Sequence, residues 1–112
     1  MQRWLRDQGW ETKIAWGKST GIDIEARRGT ERWIIEAKGR GVSPQAQGNY
    51  FLGVLAELVQ RMTDADCRYS LAFPALARYQ RLWNRLPALA KSRLKVSMLF
   101  VDERGNVVES RW

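Results

Sequence analysis

Along the chain, apolar and polar residues alternate with a period of two in some short runs and recur every three to four residues in others, the mixed signature of strands and helices. Residues 21–28 and 31–38 both alternate, and Gly29-Thr30 between them supplies a two-residue turn with Gly at its first central position, as a type II′ hairpin prefers. That turn sets Arg28 opposite Glu31, Ala26 opposite Trp33, Ile24 opposite Ile35 and Asp23 opposite Glu36. Residues 11–16 predict a preceding strand, reversed through residues 17–21, so the three strands form a meander. Ahead of it, residues 3–8 predict a short helix stopped by Gly9, with Trp4 and Leu5 turned to the sheet.

After a break at Pro44, residues 49–62 carry Tyr50, Phe51, Val54, Leu55, Leu58, Val59 and Met62 at helical spacing. They predict an amphipathic helix covering the apolar face of the meander, with Asn49, Gly53 and Glu57 along one polar strip. Residues 68–73 predict a strand stopped by Pro74 and, because it follows a crossover helix, parallel to an earlier strand. Residues 76–86 predict a second amphipathic helix, with Leu76, Tyr79, Leu82, Trp83 and Leu86 inward and Pro87 ending it. Residues 95–101 and 107–112 predict a final hairpin, in which Leu99, Phe100 and Trp112 serve the core or, alternatively, a subunit interface. The expected class is α/β in a single domain over residues 1–112: a mixed central sheet flanked by helices, with an extra helix and a C-terminal β-hairpin.

The hairpin also sorts charge. Ile24, Ala26, Trp33, Ile35 and Ala37 fall on one face as core, whereas Asp23, Glu25, Glu36 and Lys38 fall on the other. Two like charges about 4 Å apart repel by roughly 1 kcal/mol in water and roughly 4 kcal/mol at a partly buried surface, so this acidic patch calls for a cation. Hard Mg²⁺ or Mn²⁺ suits carboxylate oxygens, often taking only one or two from the protein. Lys38, two residues beyond Glu36, faces the same way, where an ammonium orients an attacking water or offsets charge building on a phosphate.

An Asp at the end of one strand followed by Glu-x-Lys on the next resembles the PD-(D/E)XK nuclease superfamily, the restriction-endonuclease-like fold. Asp23 matches its Asp, Glu36-Ala37-Lys38 matches its (D/E)-x-K, and Ile22 stands where the named motif has Pro. The flanks agree: a leading helix ending at Gly9-Trp10-Glu11, and an exit through Gly39-Arg40-Gly41 into a helix. The resemblance covers roughly the first half of the chain. It implies an αβββαβ core and metal-dependent hydrolysis of phosphodiesters, with Asp23, Glu36 and the Ala37 carbonyl holding Mg²⁺ or Mn²⁺ and Lys38 placing the water. It also implies accessory positions: Glu25 as a reserve ligand, Gln47 or Asn49 (and Gln45) at the start of the helix after the motif, and Asp7 on the first helix. For Gln47 and Asn49 the plainer role is helix-start capping, and for Asp7 solvation. A domain of this kind cuts both strands as a pair of copies, so a homodimer is expected.

Composition narrows the alternatives. At 112 residues and 45% hydrophobic content the chain is long enough for one packed core. It has no His, which removes imidazole metal ligands and Ser-His-Asp chemistry, and a single Cys, which removes an intramolecular disulfide. No apolar run approaches a membrane span and residues 1–4 show no apolar signal region, so a cytoplasmic protein is expected. The net charge of +7 suits a polyanion, and its distribution is sharper: between Pro74 and Val101 stand Arg78, Arg81, Arg85, Lys91, Arg93 and Lys95 with no acid. Arg78, Arg81 and Arg85 recur on one helical face, either as a solvated basic face or as a row of phosphate-binding forks.

Two functions compete on these residues. One is a metal-dependent nuclease acting on DNA. The other is a catalytically inactive nucleic-acid-binding or regulatory module on the same fold. A helix-turn-helix regulator fits poorly, because no two helices are joined by the short turn a recognition pair needs.

Overall fold

The computed structural model describes residues 1–16, 21–38 and 46–112. The expected break at Pro44, the exit through Gly39-Arg40-Gly41, the loop at 17–20 and Gln45 lie outside the described residues. In chain order the elements are α1 (Gln2–Asp7), β1 (Glu11–Trp16), β2 (Gly21–Arg28), β3 (Glu31–Lys38), α2 (Gln47–Gln60), β4 (Arg68–Pro74), α3 (Ala77–Arg85), α4 (Ala88–Leu94), β5 (Val96–Val101) and β6 (Val107–Ser110). The strands form one six-stranded sheet in the order β1-β2-β3-β4-β5-β6. Pairing is antiparallel from β1 to β3, parallel from β3 to β5, and antiparallel again between β5 and β6. The two parallel joints are the ones bridged by helices, since a parallel pair cannot be closed by a tight turn.

The central hairpin adopts the expected register, with Asp23 paired to Glu36 and Arg28 to Glu31. Gly29 takes φ +61° while Thr30 stays at negative φ, the combination that a II′ turn demands of a residue without a Cβ.

Both faces of the sheet are buried, and here the helical cover departs from expectation. The face carrying Ile24, Ala26, Trp33 and Ile35 is closed by Leu5 and Trp10, with Met1 and Trp4 at its margin, so α1 and the residues just after it cover this side. Trp4 and Trp10 each meet the Trp33 ring edge-on. Helix α2 lies on the opposite side, where Phe51, Val54 and Leu58 pack with Ile34, Leu71 and Phe73 and with Tyr79 and Trp83 of α3. The carboxylate-bearing face is thus roofed by the long helix, because Ile34 shares that face and supplies it with an apolar anchor.

Three smaller differences follow from packing. Val59 is exposed, because α2 buries the narrower stripe of Phe51, Val54 and Leu58. Pro87 ends α3 but also caps a further helix, α4, which buries no residue fully and whose weak apolar periodicity hides it in the sequence, so that, against expectation, two helices are joined by a short turn, Leu86-Pro87. Leu99 and Phe100 are core residues, whereas Trp112 follows the end of β6 and is exposed.

Candidate metal and phosphodiester site

Asp23 and Glu36 stand opposite each other on adjacent strands, and both face α2. Their carboxylates converge: Nη1 of Arg61, at the C-terminal cap of α2, donates to Asp23 Oδ2 and lies 3.3 Å from Glu36 Oε1. The two carboxyl groups thus meet at one point, beneath the C-terminal end of α2. Glu36 is only 4% exposed. Burial, and then the hydrogen bond and charge of Asp23, push its carboxyl up to about 8, against a partial opposing pull from Arg61.

Lys38 is buried as well, 7% exposed. Its Nζ sits 3.7 Å from Glu57 Oε2 on α2 and 5.8 Å from the centre of the Tyr50 ring. One edge of α2 therefore answers the charges of the strands in order, Glu57 to Lys38 and, a helical turn later, Arg61 to Asp23 and Glu36. Ala37, between the two motif residues, turns its side chain to the α1 side of the sheet.

The accessory residues do not gather here. Glu25 shares the face but accepts from Arg27 Nη2 at 2.9 Å and Arg32 Nε at 2.8 Å, and these guanidinium groups, Arg32 first, hold its carboxyl below the usual range. Asp7 is exposed at the end of α1, across the sheet from the carboxylate pair, because α1 packs on the other face. Asn49 is exposed in the first turn of α2, whose N-cap residue is Ala46 with no side-chain cap, so Asn49 does not cap the helix. Gln47 opens the helix, and its side chain lies outside the described residues.

Arg78, Arg81 and Arg85 are exposed along α3, and none pairs with an acid among the described residues. Arg78 reaches the start of α2, its Nη2 lying 3.9 Å from where a Cβ on Gly48 would stand. Lys91 lays its ammonium over the Trp83 ring at 4.4 Å, and burial lowers its pKa; Arg93 is exposed on the same helix. Sequence reading missed Arg61 and the role of Glu57. The signal existed, since the strip Asn49, Gly53, Glu57 continues with the same four-residue step to Arg61.

The donor set suits a hard divalent cation. Two neighbouring carboxyl groups, one of them pushed up to about 8 by burial and then by the other, favour a positive partner, and oxygen is the donor that Mg²⁺ and Mn²⁺ prefer. Among the described residues no third acidic, Cys or His side chain completes a protein-only cage. That is the pattern of an ion that takes its remaining ligands from backbone, water or phosphate.

No family model matches this sequence, and no curated protein matches it. Solved structures do. One is an XisH family protein from Nostoc punctiforme, 22% identical, with a TM-score of 0.58 over 93% of this chain and 89% of that one. Another is an fdxN element excision controlling factor protein from Anabaena variabilis, 21% identical, with a TM-score of 0.59 over 93% of this chain and 88% of that one. The chain shares their fold. At this identity the likeness extends to architecture and not to residue roles. No helix among the described residues is long and apolar enough to cross a membrane.

Proposed function

We propose that this protein is a metal-dependent phosphodiesterase acting on DNA, as members of the PD-(D/E)XK superfamily are. The observation that supports it most is the convergence of Asp23 and Glu36 on a single nitrogen. In this reading Asp23, Glu36 and the Ala37 carbonyl hold Mg²⁺ or Mn²⁺, whose chemistry is to activate water and offset charge on a phosphate. Lys38, kept in place by Glu57 and Tyr50, orients the attacking water and meets charge developing on the phosphate oxygens. Arg78, Arg81 and Arg85, with Arg93 and Lys91 beyond them, hold the backbone of the nucleic acid. The name of the Anabaena neighbour, an excision controlling factor, agrees with a role on DNA. Paired copies in the cytoplasm would cut both strands.

A second reading is favoured by one specific contact. Arg61 already bridges both carboxyl groups and supplies a positive charge to the pair, as it would in a catalytically inactive DNA-binding or regulatory module. Incubating supercoiled plasmid with wild type, Asp23→Ala and Lys38→Ala in Mg²⁺, Mn²⁺ or EDTA separates the two. The nuclease reading expects metal-dependent nicking by wild type alone. DNA binding without cleavage under any condition supports the second reading instead.

A further inference from the structure

Arg61 does more than close a gap in the charge count. Its guanidinium stands where the two carboxylates meet, so a divalent ion shared by Asp23 and Glu36 and this guanidinium compete for the same oxygens. A Mg²⁺ ion sits roughly 2.0–2.1 Å from its oxygen ligands, so an ion on Asp23 Oδ2 and Glu36 Oε1 leaves no room for the guanidinium nitrogen that now contacts them. One cation must leave for the other to enter.

The surroundings give Arg61 somewhere to go. It is the cap residue of α2 and its side chain is 35% exposed, so it can swing to solvent without disturbing the packed stripe of Phe51, Val54 and Leu58. The C-terminal end of a helix favours a cation there whichever way the side chain points. Glu57 lies one turn back, with the acid N-terminal to the base, the better order for such a pair. Lys38 contacts Glu57, and release of Arg61 leaves that contact in place.

Resting on the metal-site reading above, we infer that Arg61 is the resident counter-ion of the carboxylate pair, and that metal binding is an exchange in which Arg61 is expelled. The site is then self-neutralised without metal, and its affinity for metal is set by how tightly Arg61 holds on.

The test is Mn²⁺ titration by calorimetry, without nucleic acid, on full-length wild type, Arg61→Gln, Arg61→Lys and Asp23→Ala, with circular dichroism confirming each fold. Removing a contacting cation should tighten Mn²⁺ binding by roughly tenfold or more in Arg61→Gln. Arg61→Lys, which keeps the charge, should stay near wild type, and Asp23→Ala should lose binding. Without metal, Arg61→Gln should melt below wild type, and Mn²⁺ should restore it more than it raises wild type. Should Arg61→Gln not fold, the Arg61 Nε–Hε NMR resonance of wild type gives the same answer, shifting as Mg²⁺ saturates the site. Equal or weaker Mn²⁺ binding by Arg61→Gln, or an unmoved Arg61 resonance in metal-saturated wild type, overturns the exchange while leaving the metal site standing. Absence of Mn²⁺ binding in both wild type and Arg61→Gln overturns the exchange and the metal site together.

Discussion

At the scale of single residues, Glu36 carries the largest consequence. With its carboxyl raised from 4.5 to about 8 by burial and by Asp23, the folded protein keeps a proton that the unfolded chain gives up at much lower pH. Between those two values the folded state binds more protons than the unfolded one, so stability of the metal-free protein falls as pH rises through this window and levels off above about 8. Glu36→Gln removes the titration and should flatten that fall, leaving the variant more stable than wild type at pH 8.5. At roughly 1.4 kcal/mol per pKa unit the gain is on the order of a few kcal/mol, readable in urea melts across pH 5 to 9. Parallel pH profiles for the two proteins would contradict it. Added Mg²⁺ should raise the stability of wild type and not of Asp23→Ala, because a ligand stabilises only the state that binds it.

At the scale of elements, the β2–β3 turn sets the register on which the site depends. Gly29 sits at φ +61° with open space around a would-be Cβ, so Gly29→Ala should destabilise through backbone strain alone, by about 1–2 kcal/mol in urea melts. No loss would mean that the turn relaxes to another type. This hairpin is also what was most legible in the sequence. Two alternating runs and a Gly-Thr turn leave one register that keeps Ile24, Ala26, Trp33 and Ile35 together, and that register alone brings Asp23 to Glu36. The placement of α2 was not legible, because an apolar stripe shows that a helix covers a face and not which face. The carboxylate side looked polar from its alternation, yet Ile34 and the roof of α2 bury it, and the partners that α2 brings are more than 15 residues away in sequence: Glu57 for Lys38, Arg61 for Asp23 and Glu36. The partners of Glu25 are local instead, since Arg27 beside it on β2 and Arg32 across the hairpin claim its carboxylate. Helix α4 has no legible stripe because, of its residues, Leu94 alone packs against the core as a large apolar side chain.

At the scale of the whole molecule, positive charge is arranged around a nearly neutral site. The chain carries +7, yet the carboxylate pair is matched by Arg61 and Lys38 by Glu57, so the excess lies elsewhere, notably on the open face of α3. Binding to DNA should therefore depend on Arg78, Arg81 and Arg85 and not on Asp23. Replacing all three by Ala should weaken binding across sequences and reduce the slope of log affinity against log salt by about 3, near one unit per lost phosphate contact. Asp23→Ala should bind like wild type, and an unchanged slope in the triple variant would remove α3 from the interface. The claim on which the rest depends is that Asp23 and Glu36 together hold one divalent ion. A crystal soaked in Mn²⁺ tests it most directly: we expect an anomalous peak between the two carboxylates with Arg61 turned away, and a site without a peak, Arg61 still bridging both acids at saturating Mn²⁺, would contradict it.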